Sequence, residues 1–204
     1  MLRVGLTGGI ACGKSTVAKM LLQCGAQLLQ ADTLAHQLYS PGTAVYNEIV
    51  RHFGREILSE DGAINRAKLA NLVFPNRVAE LNAIVHPAVI RSQREWMDEV
   101  ERADPHAIAV VEAALIIEAG ATNDFDKLIV VICDSERKIE RYAGRAAVSL
   151  EMARAEVERR SAAQLSDDEK AKHADYVIEN SGPLEETERQ VEKIWIELQK
   201  LATQ

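Results

Sequence analysis

Residues 8–16 read Gly-Gly-Ile-Ala-Cys-Gly-Lys-Ser-Thr, and Gly8 to Ser15 fit the pattern G-x-x-x-x-G-K-[ST]. The residue types follow from what a polyphosphate needs. Gly8 and Gly13 permit backbone conformations and close approaches that a Cβ would block, so successive N–H groups can turn inward on phosphate oxygens. A helix starting at this point adds N–H donors and a dipole that favours anions. Lys14 then sets a cation beside the β- and γ-phosphates, and Ser15 offers a hydroxyl to Mg²⁺. Gly8, Gly9, Ile10, Ala11, Cys12, Gly13, Lys14, Ser15 and Thr16 are therefore the expected nucleotide-binding residues. The bland alternative is a glycine turn with an incidental lysine. An apolar strand before the match and an amphipathic helix after it are the setting of a phosphate-binding loop. Cys12 reads in two ways, as a thiol activated by the helix N-terminus or as the filler of a small position.

Four further groups could take part in such chemistry. Asp32 follows an apolar run at 27–30, where open α/β sheets place their ligands. It can accept a proton from a hydroxyl attacking a γ-phosphorus, or it can cap a helix over 33–39. Arg137, Arg141 and Arg145 recur at i, i+4, i+8 and share one helical face. They suit a transferring phosphoryl group, or a solvated face paired with Glu136 and Glu140. Asp134 ends an apolar run ahead of Ser135-Glu136, which reads as an N-cap more than as a metal carboxylate. His86 precedes Pro87 at an expected helix start, where it could bind substrate or satisfy backbone groups. The five histidines are otherwise scattered, and no metal ligand is assigned among them.

The elements that must hold these residues come from alternating patterns. Leu2–Thr7, Gln27–Gln30, Ala107–Glu112 and Lys127–Cys133 read as buried strands, with Asp175–Ile178 a weaker fifth. Helix-like segments lie between them, which is the pattern of a parallel sheet wrapped on both faces. Ser15–Gln23 is the first, and a last helix starts at Ser181-Gly182-Pro183 with an apolar face of Leu184, Val191, Ile194, Trp195, Leu198 and Leu201. About 75 residues separate the second and third strands, more than one crossover helix needs. Helices are expected there at Thr43–Phe53, Arg66–Val73, Arg77–Val85 and Pro87–Arg102, so the region reads as a helical insertion. Residues 135–160 carry seven Lys/Arg against five Asp/Glu and read as two short helices around Ala143–Ser149, able to swing over a phosphate site.

With 204 residues, 47% apolar and 27% charged, the chain suits one domain with an inserted subdomain, not a disordered or collagen-like protein. The formal charge of −7 provides no overall positive field for nucleic acid or anionic membrane. Three scattered cysteines form no disulfide framework or zinc pattern. Without a leader-like start or a spanning run, the chain reads as soluble and cytoplasmic, a monomer or weak homo-oligomer.

In their order along the chain, several motifs resemble the dephospho-CoA kinase family. These are Gly5-Leu6-Thr7-Gly8-Gly9-Ile10, Gly13-Lys14-Ser15-Thr16, Ala31-Asp32, Phe53-Gly54, Asp61-Gly62, Asn65-Arg66, Leu81-Asn82, His86-Pro87 and Leu115 with Glu118. Arg141, Arg145, Gln164, Ala174-Asp175 and Asn180 complete the match. The resemblance implies an α/β, P-loop NTPase-like fold: a parallel five-stranded sheet wrapped by helices, with a helical substrate-binding insertion and a lid. It implies one kinase domain over 1–204, with its nucleotide core at 1–40, 105–134 and 174–204. The insertion then spans 41–104, and the lid and return 135–173. The implied reaction moves the γ-phosphoryl of ATP, with Mg²⁺, to the 3′-hydroxyl of the ribose of dephospho-CoA. Asp32, Lys14 and Arg141 are then catalytic, Arg145 joins the loop in holding ATP, and Ser15 holds the metal. Asp32, His86, Leu115 and Glu118 are the implied acceptor contacts.

The chain also departs from the family pattern. Gln30 replaces the first aspartate of an Asp-Ala-Asp motif, Ala11-Cys12 a Gly-Ser, Ala114 a proline, and Lys138 a common glutamine. The carboxylate work falls to Asp32, with Glu112 or Glu118 as candidates to assist. Two other readings compete: a kinase of another small molecule, a nucleotide or sugar, and an ATP-binding regulator without catalysis. The chain has no Asn-Lys-x-Asp segment of a guanine-reading switch.

Overall fold

The computed structural model describes residues 1–74 and 76–203. Strand β1 (Leu2–Gly8) is buried at every position but Arg3, as a central strand covered on both faces must be. It leads through the glycine loop into α1 (Lys14–Cys24), which Gly25 ends in a left-handed conformation with its N–H on the Leu21 and Leu22 carbonyls. The short strand β2 (Gln27–Gln30) follows.

The chain then runs through helices: α2 (Ala31–Leu38), α3 (Ala44–Phe53), α4 (Arg66–Val73) and α5 (Val78–Ala103). Thr43 and Asn65 cap α3 and α4, accepting the N–H groups of Tyr46 and Lys68. One expectation is corrected here. The two helices expected on either side of His86-Pro87 are a single 26-residue helix with Pro87 inside it. Proline removes one helical donor and strains one turn. Val78, Leu81, Ile84, Val85, Ala88 and Val89, on both sides of it, all pack against Val45, Ile49, Phe53, Ile57, Leu69 and Val73, so packing holds the helix through the defect.

Strands β3 (Ile108–Glu112) and β4 (Lys127–Ile132) follow, then α6 (Ser135–Ala146), α7 (Leu150–Ser161), α8 (Asp167–Ala171), β5 (Tyr176–Glu179) and α9 (Leu184–Ala202). The break between α6 and α7 falls where expected, with Ala147 left-handed and the Ser149 hydroxyl oxygen capping α7. The sheet order is β2-β3-β1-β4-β5. β1 pairs parallel with β3, Leu6 opposite Glu112, and with β4, Gly8 opposite Val131; β4 pairs parallel with β5. The five-stranded parallel architecture expected from alternation is therefore the one observed. From β1 the chain turns toward β2, whereas from β3 it crosses to β4 on the other side. The neighbouring carboxyl ends of β1 and β3 thus flank the crevice where open α/β sheets bind ligands.

The chain divides into two compact units, Met1–Leu29 with Met97–Gln204, and Gln30–Trp96. The first has its core between sheet and helices, where Val17 and Leu21 of α1 and Val191, Ile194 and Leu198 of α9 meet β1, β3 and β4; Trp195 packs at its edge. The second is the helical cluster around Ile49 and Phe53. Among the described residues no helix is long and apolar enough to cross a membrane.

Candidate active site

The loop between β1 and α1 has the conformation its glycines allow. Gly13 is left-handed (φ 97°, ψ 21°) at the start of α1, and a Cβ there would collide with the Asn180 amide. A Cβ on Gly8 would collide with the Val131 carbonyl oxygen. Ala11 is also left-handed, at φ 53°, a conformation that costs a residue with a Cβ about 1–2 kcal/mol. The strain persists because the loop is held from outside. Asn180, 2% exposed, donates Nδ2 to the Cys12 carbonyl at 2.8 Å, and its Oδ1 accepts the Thr187 hydroxyl at 2.8 Å. Resemblance matched Asn180, yet no role was read from its position; its place at the end of a strand before Ser-Gly-Pro was the available signal.

Lys14 lies over its own loop, with Nζ 3.1 Å from the Gly8 carbonyl and 2.9 Å from that of Gly9. Ser15 donates its hydroxyl to Glu112 Oε1 at 2.8 Å. Glu112 is buried at the carboxyl end of β3, so the crevice holds a hydroxyl beside a carboxylate. Arg141, on α6, donates Nη1 to the Cys12 carbonyl at 3.2 Å and to Cys133 Sγ at 3.4 Å, and Nη2 to Asn180 Oδ1 at 3.4 Å. Ala11, Gly13–Thr16, Arg141, Arg145 and Asn180 line one cleft of about 470 Å³. The structure thus brings the loop, Lys14, Ser15, Arg141 and Arg145 together.

The arginine face divides. Arg137 turns to Glu140 and to the Ser181 carbonyl, at 3.0 and 3.2 Å, while Arg145 packs over the Tyr142 ring. Arg159 and Arg160 both pair with Glu156, whose carboxyl they hold down at about 2. Asp134 stands at the N-cap position of α6 but makes no side-chain cap bond. Cys12 is buried, and burial pushes its thiol pKa up against the pull of Lys14, which is the environment of a packing residue. Leu115, half-buried, and Glu118 lie on the segment after β3. Glu118 Oε1 faces Lys170 Nζ at 2.9 Å and accepts the Leu165 N–H at 3.1 Å.

Asp32 and His86 belong to the helical unit. Asp32 is in the first turn of α2, one residue past the buried Ala31; the N-cap is Gln30. The capping alternative for Asp32 is therefore excluded. His86 is half-buried within α5, not ahead of a helix.

The sequence model of the dephospho-CoA kinase family matches residues 2–186. The chain belongs to this family. A dephospho-CoA kinase of Geobacter metallireducens is 45% identical over 199 residues, 97% of this chain and 96% of that one. Among solved structures, a Thermus thermophilus protein has a TM-score of 0.78 at 34% identity, covering 96% of each chain. The Campylobacter jejuni dephospho-CoA kinase has a TM-score of 0.62 at 26% identity, covering 97% of each. Membership makes the chain a kinase that draws its phosphoryl group from ATP.

Proposed function

We propose that this chain phosphorylates the ribose 3′-hydroxyl of dephospho-CoA from ATP, forming CoA and ADP. The observation that carries the reading is the match to dephospho-CoA kinases over nearly the whole chain, on a protein whose phosphate loop is intact. In this reading the backbone N–H groups of residues 8–16 and Lys14 bind the β- and γ-phosphates, and Arg141 and Arg145 lie across from them on α6. Lys14 exchanges the Gly8 and Gly9 carbonyls for phosphate oxygens. Asp32 accepts the proton of the attacking hydroxyl, which its place just past β2 supports. His86 and Leu115 are proposed acceptor contacts, with residues 135–173 as the lid and the return from it.

Mg²⁺ takes hard oxygen donors and keeps near-octahedral geometry with few protein ligands. The Ser15 hydroxyl and the Glu112 carboxylate, 2.8 Å apart, fit that preference. Ser15 would hold the ion with Glu112 beside it, and bound Mg²⁺ supplies charge neutralisation of the phosphates. Three free thiols suit a reducing cytoplasm.

The test is Mg·ATP-dependent ADP release with dephospho-CoA, beside adenosine, AMP and no acceptor, with the product weighed for one added phosphate. Turnover specific to dephospho-CoA is expected. Release that ignores the acceptor, or phosphorylation of adenosine or AMP in its place, overturns the proposal.

A further inference from the structure

Two charged side chains, Lys138 and Asp167, meet beside Gly9 of the phosphate loop. Lys138 is on α6 with Nζ 2.6 Å from Asp167 Oδ2. The same Oδ2 accepts the Cys133 N–H at 3.3 Å. Both ends of the pair lie at Gly9: a Cβ there would sit 2.9 Å from Asp167 Oδ1 and 3.3 Å from Lys138 Nζ.

Asp167 is a fixed anchor because α8 is tied down along its length. The Ser166 hydroxyl oxygen accepts the Glu169 N–H at 3.2 Å at the start of that helix. Lys170, one turn on and wholly buried, reaches Glu118 and donates to the Ala114 carbonyl at 3.0 Å. An exposed Lys–Asp pair would add little. Here the side chains are only 11% and 21% exposed, and the carboxylate is oriented by a backbone donor, so the pair is held in one geometry.

Arg141 follows Lys138 by three residues, on the same side of α6. It reaches the Cys12 carbonyl, so α6 is tied to the loop at Cys12 and, through Lys138, to Asp167 of α8 beside Gly9. We propose that Lys138 and Asp167 are positioning residues that act through Arg141, setting the roll of α6 so that its guanidinium meets the ATP phosphates. This rests on the reading of Arg141 as a phosphate ligand. Without the pair, α6 keeps Arg137 on the Ser181 carbonyl and Ile139 against Ile10 but loses its tie beside Gly9, so the roll that presents Arg141 is less fixed; ATP affinity falls while the acceptor's KM does not move.

The experiment is calorimetric titration of Mg·ATP, with steady-state kinetics alongside, on wild type, Lys138→Met and Asp167→Asn, each also combined with Arg141→Ala. Thermal melting reports whether each variant folds, and the near-isosteric Asp167→Asn carries the measurement if Lys138→Met does not. Either single variant is expected to raise the ATP Kd about 5- to 30-fold, the middle of the range for coupled neighbours. In the Arg141→Ala background the same change is expected to alter Kd less than about twofold. Equal fold-changes in both backgrounds, or an unchanged Kd in the single variants, overturn the proposal. Arg141→Ala leaving the ATP Kd unchanged would overturn the reading of Arg141 itself, and is read separately from that one variant.

Discussion

Replacing Glu118 by leucine should destabilise the fold far more than replacing Glu118 and Lys170 together. The Lys170 side chain has no solvent exposure, and its ammonium rests between Glu118 Oε1 at 2.9 Å and the Ala114 carbonyl at 3.0 Å. Glu118→Leu leaves that charge with a carbonyl alone and takes the acceptor from the Leu165 N–H. Removing one partner of a buried ion pair costs about 3–5 kcal/mol, because the other charge stays out of water. In a chain of this size each kcal/mol moves the melting point by about 2–4 °C, so a fall of roughly 6–20 °C is expected. Replacing both charges by apolar groups of similar volume is commonly neutral or better. Ala114 O keeps its bond from Thr7 Oγ1, so the main loss in Glu118→Leu/Lys170→Met is the Leu165 bond, about 1 kcal/mol. Scanning calorimetry of wild type, both single variants and the double variant measures this. The reasoning fails if Glu118→Leu melts within about 2 °C of wild type, or if the double variant melts as low as Glu118→Leu. A role in holding the acceptor would read out differently, as a raised KM at an unchanged melting point.

Asp32→Asn should still bind both substrates but lose about 10²–10⁴-fold in kcat, measured as ADP release; an unchanged kcat would reduce Asp32 to a first-turn charge on α2. Cys12 should resist alkylation near pH 7.5, since burial raises its pKa and leaves little thiolate, and it should label fully once the chain is unfolded. Peptide mass spectrometry follows this, and fast labelling that ATP slows would contradict it.

What was legible in the sequence is what a local pattern determines. The phosphate loop needs one strand, one turn and one helix start, all within 24 residues, and the structure has them in place. Arg66–Val73 was bounded to the residue because Asn65 is a local cap. Pro87 shows the limit of such rules: a residue that ends helices in isolation is overridden by apolar neighbours on both sides. β5 begins one residue later than its pattern suggests, and at the position before it the Asp175 carboxylate accepts from Lys127 and the Leu128 N–H. For the arginines, spacing gave the shared face but not the partners, and Ser181, 44 residues away, takes Arg137. Asn180 to Cys12 spans 168 residues and Lys138 to Asp167 spans 29, separations at which no periodicity signals a contact.

The division of the chain has a consequence for its birth on the ribosome. Gln30–Trp96 is continuous, so its cluster can close while later residues are still being added. β1 cannot pair until β3 emerges, since Leu2 waits for Ile108. At about 5–20 residues per second, that strand stays unpartnered for on the order of 5–20 s. The grip on the Cys12 carbonyl comes later still, with Asn180 and the Thr187 of α9 that orients it. A chain not yet extended past Thr187 therefore carries the whole glycine motif without the brace that shapes it, and the loop's nucleotide-ready shape waits on residues 180–187.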